Sequence, residues 1–268
     1  MLMDIKELLD QFPSRILNLL RDAGICAEEM GFCAYAVGGL VRDLFLRRDN
    51  LDIDVVIEGD GITFASGFSV NHNARLLIYK KFGTANLVFP NGLKVDVATA
   101  RTETYERPAA LPLVVPGSIN DDMFRRDFSI NTLAVSLNPD RFGKLLDLFQ
   151  ARNDIKKRLI RVLHERSFID DPTRIFRAVR FEKRFGFRIE SITEKLIRDA
   201  VCAGLIERLS GHRISSELRL ILKEENPLLP VRRLDELGVL SSVGRKGEKH
   251  KELKRLLRRI DEIGSVSD

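Results

Sequence analysis

Two periods of apolar residues run through the chain, and the change from one to the other divides it. Ala34–Val37 is apolar enough for a buried strand and ends at Gly38 and Gly39, after which LVRDLFL carries the spacing of an amphipathic helix. Leu51–Ile57 alternates, which puts Asp52 and Asp54 on one strand face and Leu51, Ile53 and Val55 on the other. Gly59–Phe68 predicts a helix. Arg75–Tyr79, Ala85–Phe89 and Leu93–Val97 predict short strands, the last two joined by a turn at Pro90, Asn91 and Gly92. The first half therefore predicts a mixed sheet. Arg101–Pro116, rich in Pro, Glu and Arg, reads as a loop over that sheet, and the pattern from Phe128 to Val135 reads as helical.

From about Asp147 the spacing becomes almost wholly helical. Within Phe168–Phe187 a helix starts at Pro172 behind an acidic N-cap. Asp171, Arg174, Arg177 and Arg180 follow one another at three-residue steps and share one side, while Phe176, Val179 and Phe181 face the interior. Three arginines on one face repel, so they call for anions or open water. Gly211–Leu222 predicts a further helix, with His212 at the surface or at a cap. Arg245–Arg259, with eight Lys or Arg against two Glu, reads as a solvated amphipathic helix, with contact to a phosphate backbone as the functional alternative. The opening MLMDIKELLDQFPSRILNLL mixes charges into its apolar positions, which fits an amphipathic helix and not a signal peptide.

Composition narrows the class. The chain has 268 residues, 44% apolar and 31% charged, as in soluble globular proteins, with no run long enough to span a membrane. Its net charge of +5 favours a polyanionic partner modestly. Three cysteines without CxxC spacing and four scattered histidines predict neither disulfides nor a zinc site. A cytoplasmic location is expected.

The candidate chemistry lies between Ala34 and Ile57. Gly38 and Gly39 let the backbone turn sharply and approach a ligand, and the free N–H groups of the helix that carries Arg42 and Asp43 favour a phosphate. Asp52 and Asp54 crowd two carboxylates onto one edge, which suits a hard cation such as Mg²⁺ shared with substrate phosphates. Joined at this spacing, the cradle and the carboxylate pair point to nucleotidyl transfer. Asp96, on the strand LKVDVA, is either a third carboxylate or a charge on an exposed face. Asp127, with Ser129 and Asn131 close by, fits helix capping as well as a site.

The ordered blocks GGLVRD with DID, KFGTANLVF, KVDVATARTETYERPAALP, RRDFSINTLA, FIDDPTRIFRAVRFEKRFGF and HRISSEL span about Phe32 to about Leu240. Through them the chain resembles the class II tRNA nucleotidyltransferases and bacterial poly(A) polymerases, a branch of the polymerase-beta-like nucleotidyltransferases. The resemblance implies an α+β fold: a head of mixed β-sheet and helices over residues 1–146, a helical neck over 147–210, and the start of an all-α body over 211–268. Because such proteins normally continue through further helical domains, a shortened body is expected.

The implied activity is template-independent addition of A, with C as the alternative, from ATP or CTP to a tRNA 3′ end, by two-metal transfer with release of pyrophosphate. A poly(A) polymerase and a non-catalytic RNA-binding homologue are the rival readings. By the same resemblance Asp52 and Asp54 hold the metal, Gly38, Gly39, Arg42 and Arg126 bind the triphosphate, and Asp127 lies near the metal carboxylates. Asp171 and Arg174 read the Watson–Crick edge of the base, and Arg177 and Arg180 face the triphosphate. Asp170 stands where the family usually has Glu. Gln150 and Ala151 replace a double glycine of a flexible segment, which predicts a stiffer chain closed to positive φ and a single preferred nucleotide, ATP.

Overall fold

Strand β1, Cys33–Val37, ends at the double glycine and lies inside a seven-stranded sheet in the computed structural model, which describes residues 9, 12–49, 52–247, 255–256 and 258–260. The other strands of that sheet are β2 (Ile53–Glu58), β3 (Arg75–Tyr79), β4 (Thr84–Val88), β5 (Lys94–Thr99), β8 (Leu133–Ser136) and β9 (Leu145–Asp147), in the order β3-β4-β5-β2-β1-β8-β9. Every strand expected in the first half is present, so the sheet is mixed as predicted. Its parallel pair is β2 with β5. A parallel neighbour cannot be reached by a tight turn. The chain leaves β2 through a helix, Gly61–Asn71, and the β3–β4 hairpin before it returns beside β2.

Alternation along β2 decides what each face does. Ile53, Val55 and Ile57 enter a core with Ile16, Leu20, Phe64, Phe68, Leu87 and Val97, contributed partly by the helix Ser14–Glu29 and partly by Gly61–Asn71. Each such side chain stabilises the fold by roughly 1.5–3 kcal/mol. On the opposite face Tyr35, Val37, Val56 and Ala134 are covered by Ile119 and Met123 of a short helix, Ile119–Phe124. That cover reaches Val56, and on this same face Asp54 and Asp52 precede Val56 along the chain at alternate positions. The helix Ser14–Glu29 begins after Pro13 and runs beyond the expected end; residues 1–8, 10 and 11 of the expected stretch lie outside the described residues.

Two expectations are corrected. Arg101–Pro116 is not simply a loop: β6 (Arg101–Thr104) and β7 (Leu113–Pro116) pair as a two-stranded ribbon. Phe128–Val135 is not a helix but a single 3₁₀ turn, Ser129–Asn131, followed by β8. Phe128, Ile130, Leu133, Ala134 and Val135 are all buried. A segment buried on every side loses the alternation that distinguishes a strand from a helix.

Contacts divide the chain into two compact units, residues 1–104 with 114–155, and residues 105–113 with 156–268. The second unit is mainly helical, with one small parallel sheet formed by β10 (Leu159–Ile160) and β11 (Arg188–Ile189). Its central helix is Thr173–Phe185, which packs against the helices Gly211–Ile221 and Leu228–Glu236. Ile175, Phe176, Ala178 and Val179 are fully buried, and Arg174 and Arg180 are buried too, which leaves the open-water alternative for that face unfulfilled at these two positions. The basic segment 245–259 is helical at 245–247, 255–256 and 258–259, and the rest of that expected helix lies outside the described residues. Among the described residues no helix is long and apolar enough to cross a membrane.

The junction near Gln150 departs from its expectation in an instructive way. Gln150 adopts φ +56 despite its Cβ, so the left-handed conformation is occupied and not closed. That geometry costs roughly 1–2 kcal/mol for an L-residue. It is offset by Asp147, whose Oδ1 and Oδ2 accept from the amides of Ala151 (2.6 Å) and Arg152 (3.2 Å) and so cap the helix Ala151–Lys157. Asp147→Ala is expected to lower stability by about 1 kcal/mol, as loss of such a cap does. Urea unfolding of the two proteins measures it, and an unchanged midpoint would remove the capping role.

Candidate active site

The pairing of β2 with β5 places Asp54 directly across from Asp96. In a parallel pair, side chains in register point to the same face about 4.8 Å apart. Asp52 lies two residues earlier on that face and is exposed. Asp96 is exposed too and accepts a hydrogen bond from Nδ2 of Asn86 on β4. Asp127 is placed differently. It is buried, and its Oδ1 accepts from the Phe128 amide (2.9 Å) and from Nδ2 of Asn131 (2.9 Å), which ties down the 3₁₀ turn. The register thus puts Asp96 beside Asp54, on the face that Asp52 shares.

Burial drives the Asp54 carboxyl up to about 6, and Asp96 and Asp52 add to the rise while Arg126 and Arg42 oppose it. Arg126 is the strongest of the neighbouring charges. Its Nη2 donates to Asp122 (3.1 Å), its Nη1 donates to the Asn131 carbonyl (3.2 Å), and its buried Nε has no hydrogen-bond partner. Asp122, fully buried, also accepts from Arg125, which in turn reaches Glu103 on β6. The ribbon therefore braces the arginine pair from one side.

Backbone conformation and a close neighbour both favour glycine at position 38. Its φ of +67 is left-handed, and a Cβ there would come within 2.7 Å of Arg126 Nη1. Gly38, at the N-cap of the helix Gly39–Leu46 that follows, offers no side chain to cap it, and the amides of such a first turn can donate to an anion. Arg42 turns inward: Nε and Nη2 clasp Asp43 (2.8 and 3.0 Å) and Nη1 donates to Asn131 Oδ1 (2.6 Å). It connects this helix to the Ser129–Asn131 turn.

Among the described residues, no three carboxylate, histidine or cysteine side chains converge on a ready-made cation cage. The acidic edge fits a divalent cation all the same. Its donors are hard oxygens, its central carboxyl is held high by desolvation and by like charge, and such cations take their remaining ligands from water and substrate phosphates.

In the helical unit, Asp171 ends the short helix Ser167–Asp170. Its Oδ1 accepts from Thr173 N (2.9 Å), Thr173 Oγ1 (2.5 Å) and Arg213 Nη2 (2.7 Å), while Oδ2 accepts from none of the described residues. Arg213 also donates through Nη1 to the carbonyl of Ala109 (2.8 Å), a residue at φ +62. Arg174 donates through Nη1 to Ser167 Oγ (2.7 Å). Arg177 and Arg180 both lie over the Phe181 ring, and Arg180 sits 3.8 Å from Glu224. Burial and Arg177 hold the Arg180 guanidinium below its ordinary pKa. Sequence reasoning overlooked Arg213 and Asp122. Arg213 does fall inside the block HRISSEL, where an arginine on a helix beside buried Ile214 and Leu218 was the available signal.

A strand-turn-helix with paired acidic strands beside an arginine cluster is the arrangement of a nucleotidyl-transferring head. Residues 34–161 match the poly(A) polymerase head domain, and residues 186–243 match the probable RNA and SrmB-binding site of polymerase A. An A-adding tRNA nucleotidyltransferase of Geobacter sulfurreducens is 51% identical over 85% of this chain, and one of Aquifex aeolicus is 44% identical over 72%. The structure of the Thermotoga maritima CCA-adding enzyme complexed with tRNA superposes with a TM-score of 0.80 at 44% identity, covering 90% of this chain and 55% of that one. The chain belongs to the tRNA nucleotidyltransferase and poly(A) polymerase family. It spans about a quarter of the length of the two curated relatives, 26% and 23%.

Proposed function

We propose that this chain carries the catalytic and base-reading parts of a tRNA nucleotidyltransferase that adds A to a tRNA ending in CC, in the cytoplasm. The observation that carries the reading is Asp54 in register with Asp96, with Asp52 on the same face and Arg126 behind Gly38. Residues 1–146 serve as the head, 147–210 as the neck and 211–268 as the start of the body.

The amides that begin the helix Gly39–Leu46 bind the triphosphate, and Arg126 donates to it from the side where its Nε is unpartnered. Arg42 holds Asn131, and through it Asp127, in place. Asp52 and Asp54 hold Mg²⁺, with Asp96 adjacent. When bound, the cation supplies positive charge for attack by the RNA 3′-hydroxyl on the α-phosphorus and for departure of pyrophosphate. Asp171 Oδ2 accepts the exocyclic amino N–H of adenine and Arg174 donates to its ring acceptors, an edge that guanine and uracil do not present. Arg177 contributes positive charge toward the triphosphate, and Arg180 steadies the helix through Glu224. ATP is favoured over CTP by the A-adding relatives.

The test is incorporation of each labelled nucleotide onto tRNA transcripts ending before CCA, after C and after CC, resolved to single nucleotides. One A on the CC-ended transcript is expected. C additions overturn the nucleotide choice, long A tails favour a poly(A) polymerase, and no addition removes catalysis by this chain.

Arg213 acts through Asp171. Arg213→Ala is expected to raise KM for ATP about tenfold with a smaller change in kcat, the scale of one lost charge-assisted hydrogen bond. Arg213→Lys should recover part of the loss. Equal KM values in all three proteins would sink the positioning role.

The raised Asp54 carboxyl ties stability to pH. Folded Asp54 keeps its proton up to about 6 while the unfolded chain releases it near 3.8, so metal-free stability falls as pH rises between those values. A bound cation reverses that loss. Mg²⁺ is therefore expected to raise Tm more at pH 7 than at pH 5, by an amount corresponding to about 1.4 kcal/mol, the one pH unit by which pH 5 lies below the Asp54 value. Thermal scans with Mg²⁺ or chelator at both pH values measure it, and a shift independent of pH contradicts Asp54 as a ligand.

A further inference from the structure

Arg126 is the last of five side chains of alternating charge, Arg101, Glu103, Arg125, Asp122 and Arg126, which join contact by contact inside the first compact unit. The two carboxylates are the informative members. Asp122, fully buried on the helix Ile119–Phe124, divides its oxygens: Oδ1 accepts from Nε and Nη2 of Arg125 (2.9 and 2.6 Å), and Oδ2 accepts from Nη2 of Arg126 (3.1 Å). Each arginine thus has an oxygen of its own. Glu103 keeps that division, because its Oε1 accepts from Arg125 Nη1 (3.2 Å) and so holds Arg125 to the Oδ1 side. The same Oε1 accepts from Arg101 Nε and Nη2 (3.2 and 2.9 Å), and Arg101 Nη1 donates to the Phe82 carbonyl (3.0 Å). The row of charges is therefore anchored on backbone at one end and lies against Gly38 at the other.

Two carboxylates compete for Arg126. Asp54 attracts its guanidinium, and closure onto Asp54 would spend the arginine's charge on a carboxylate that a cation has to reach. Asp122 takes Nη2 instead and the Asn131 carbonyl takes Nη1, which fixes the fork while its buried Nε has no hydrogen-bond partner among the described residues. We propose that Asp122, held through Arg125 by Glu103, is a positioning residue for nucleotide binding: it keeps Arg126 off Asp54 and turned toward the phosphates of the incoming nucleotide. The proposal rests on the reading that Arg126 meets the triphosphate. A network that served folding alone would end in satisfied groups, since buried polar groups are as a rule hydrogen-bonded. This one ends in an open donor. A guanidinium whose plane is set beforehand also loses less rotamer freedom when the phosphate arrives, which is the gain expected from preorganisation.

The experiment titrates the full chain with inorganic tripolyphosphate by calorimetry, comparing the unaltered protein with E103Q, R126M, E103Q/R126M and D122N, and records Tm for each. E103Q decides, because Asp122→Asn removes one partner of a buried ion pair and can cost the fold. Glu103→Gln should raise the tripolyphosphate Kd about three- to tenfold, the size of coupling within one hydrogen-bonded network, and raise the KM for ATP in step with a smaller change in kcat. Folded D122N should lose about tenfold or more. In the R126M background E103Q should have no further effect, since the carboxylate acts through that guanidinium alone. An unchanged Kd in E103Q overturns the proposal, and so does an equal loss with and without Arg126, which marks a structural role. Failure of the unaltered chain to bind tripolyphosphate overturns it as well. Binding that follows these expectations in a chain that adds no A to a CC-ended tRNA removes the parent reading and leaves the arginine brace standing.

Discussion

Asp54→Ala is expected to reduce nucleotide incorporation at least about 10³-fold while leaving the circular dichroism of the folded protein unchanged, since charge stabilisation by a bound metal supplies several kcal/mol of the barrier reduction. Asp54 sits in β2 beside a core of Ile53 and Val55, and in the metal-free fold the desolvation and like-charge repulsion of its own side chain outweigh its attraction to Arg126 and Arg42. Removing it therefore spares the sheet. The same substitution at Asp96 should cost less, because that carboxylate is exposed and shared with Asn86, and at Asp127 the first effect should be on the Ser129–Asn131 turn. Steady-state incorporation by the three variants distinguishes these outcomes. Substantial activity in Asp54→Ala would defeat the metal assignment outright.

The second large effect is expected at Asp171. Three donors converge on Oδ1, and an amide nitrogen cannot accept them. In Asp171→Asn the amide oxygen must take the place of Oδ1, which turns the NH₂ toward the position of Oδ2. An acceptor for the base edge becomes a donor. ATP then meets donor against donor, and kcat/KM for ATP should fall by about 10²-fold or more, since a mismatched buried polar group is penalised far more heavily than a lost methylene. UTP, which presents a carbonyl where adenine presents its amino group, should gain relative to ATP. The measured quantity is the ratio of kcat/KM for the two nucleotides. A ratio equal to that of the unaltered chain would show that Asp171 does not face the base.

Much of this arrangement was legible before any coordinates, and the exceptions have physical causes. The strands containing Asp52, Asp54 and Asp96 were readable because each has one buried and one polar face, and alternation survives only in that case. Strand β8 was misread because Leu133, Ala134 and Val135 are buried on every side. The ribbon β6–β7 was missed because its pairing joins segments on either side of a proline-containing loop, where local pattern carries no information about the partner. Asp96 was an open candidate until the register with Asp54 settled its neighbour. Beyond its place on a helix in HRISSEL, Arg213 could not be tied to a partner from local pattern, because Asp171 and Ala109 are supplied by distant parts of the chain.

The parallel pairing of β2 with β5 has a consequence for how the protein comes into being. The two acidic strands cannot meet until the intervening helix and the β3–β4 hairpin have closed, so the entropy of closing that crossover is lost before any of their contacts is gained. Local turns and helices form without waiting for it. During refolding, the carboxylate edge therefore comes together later than the local turns and helices on either side of it.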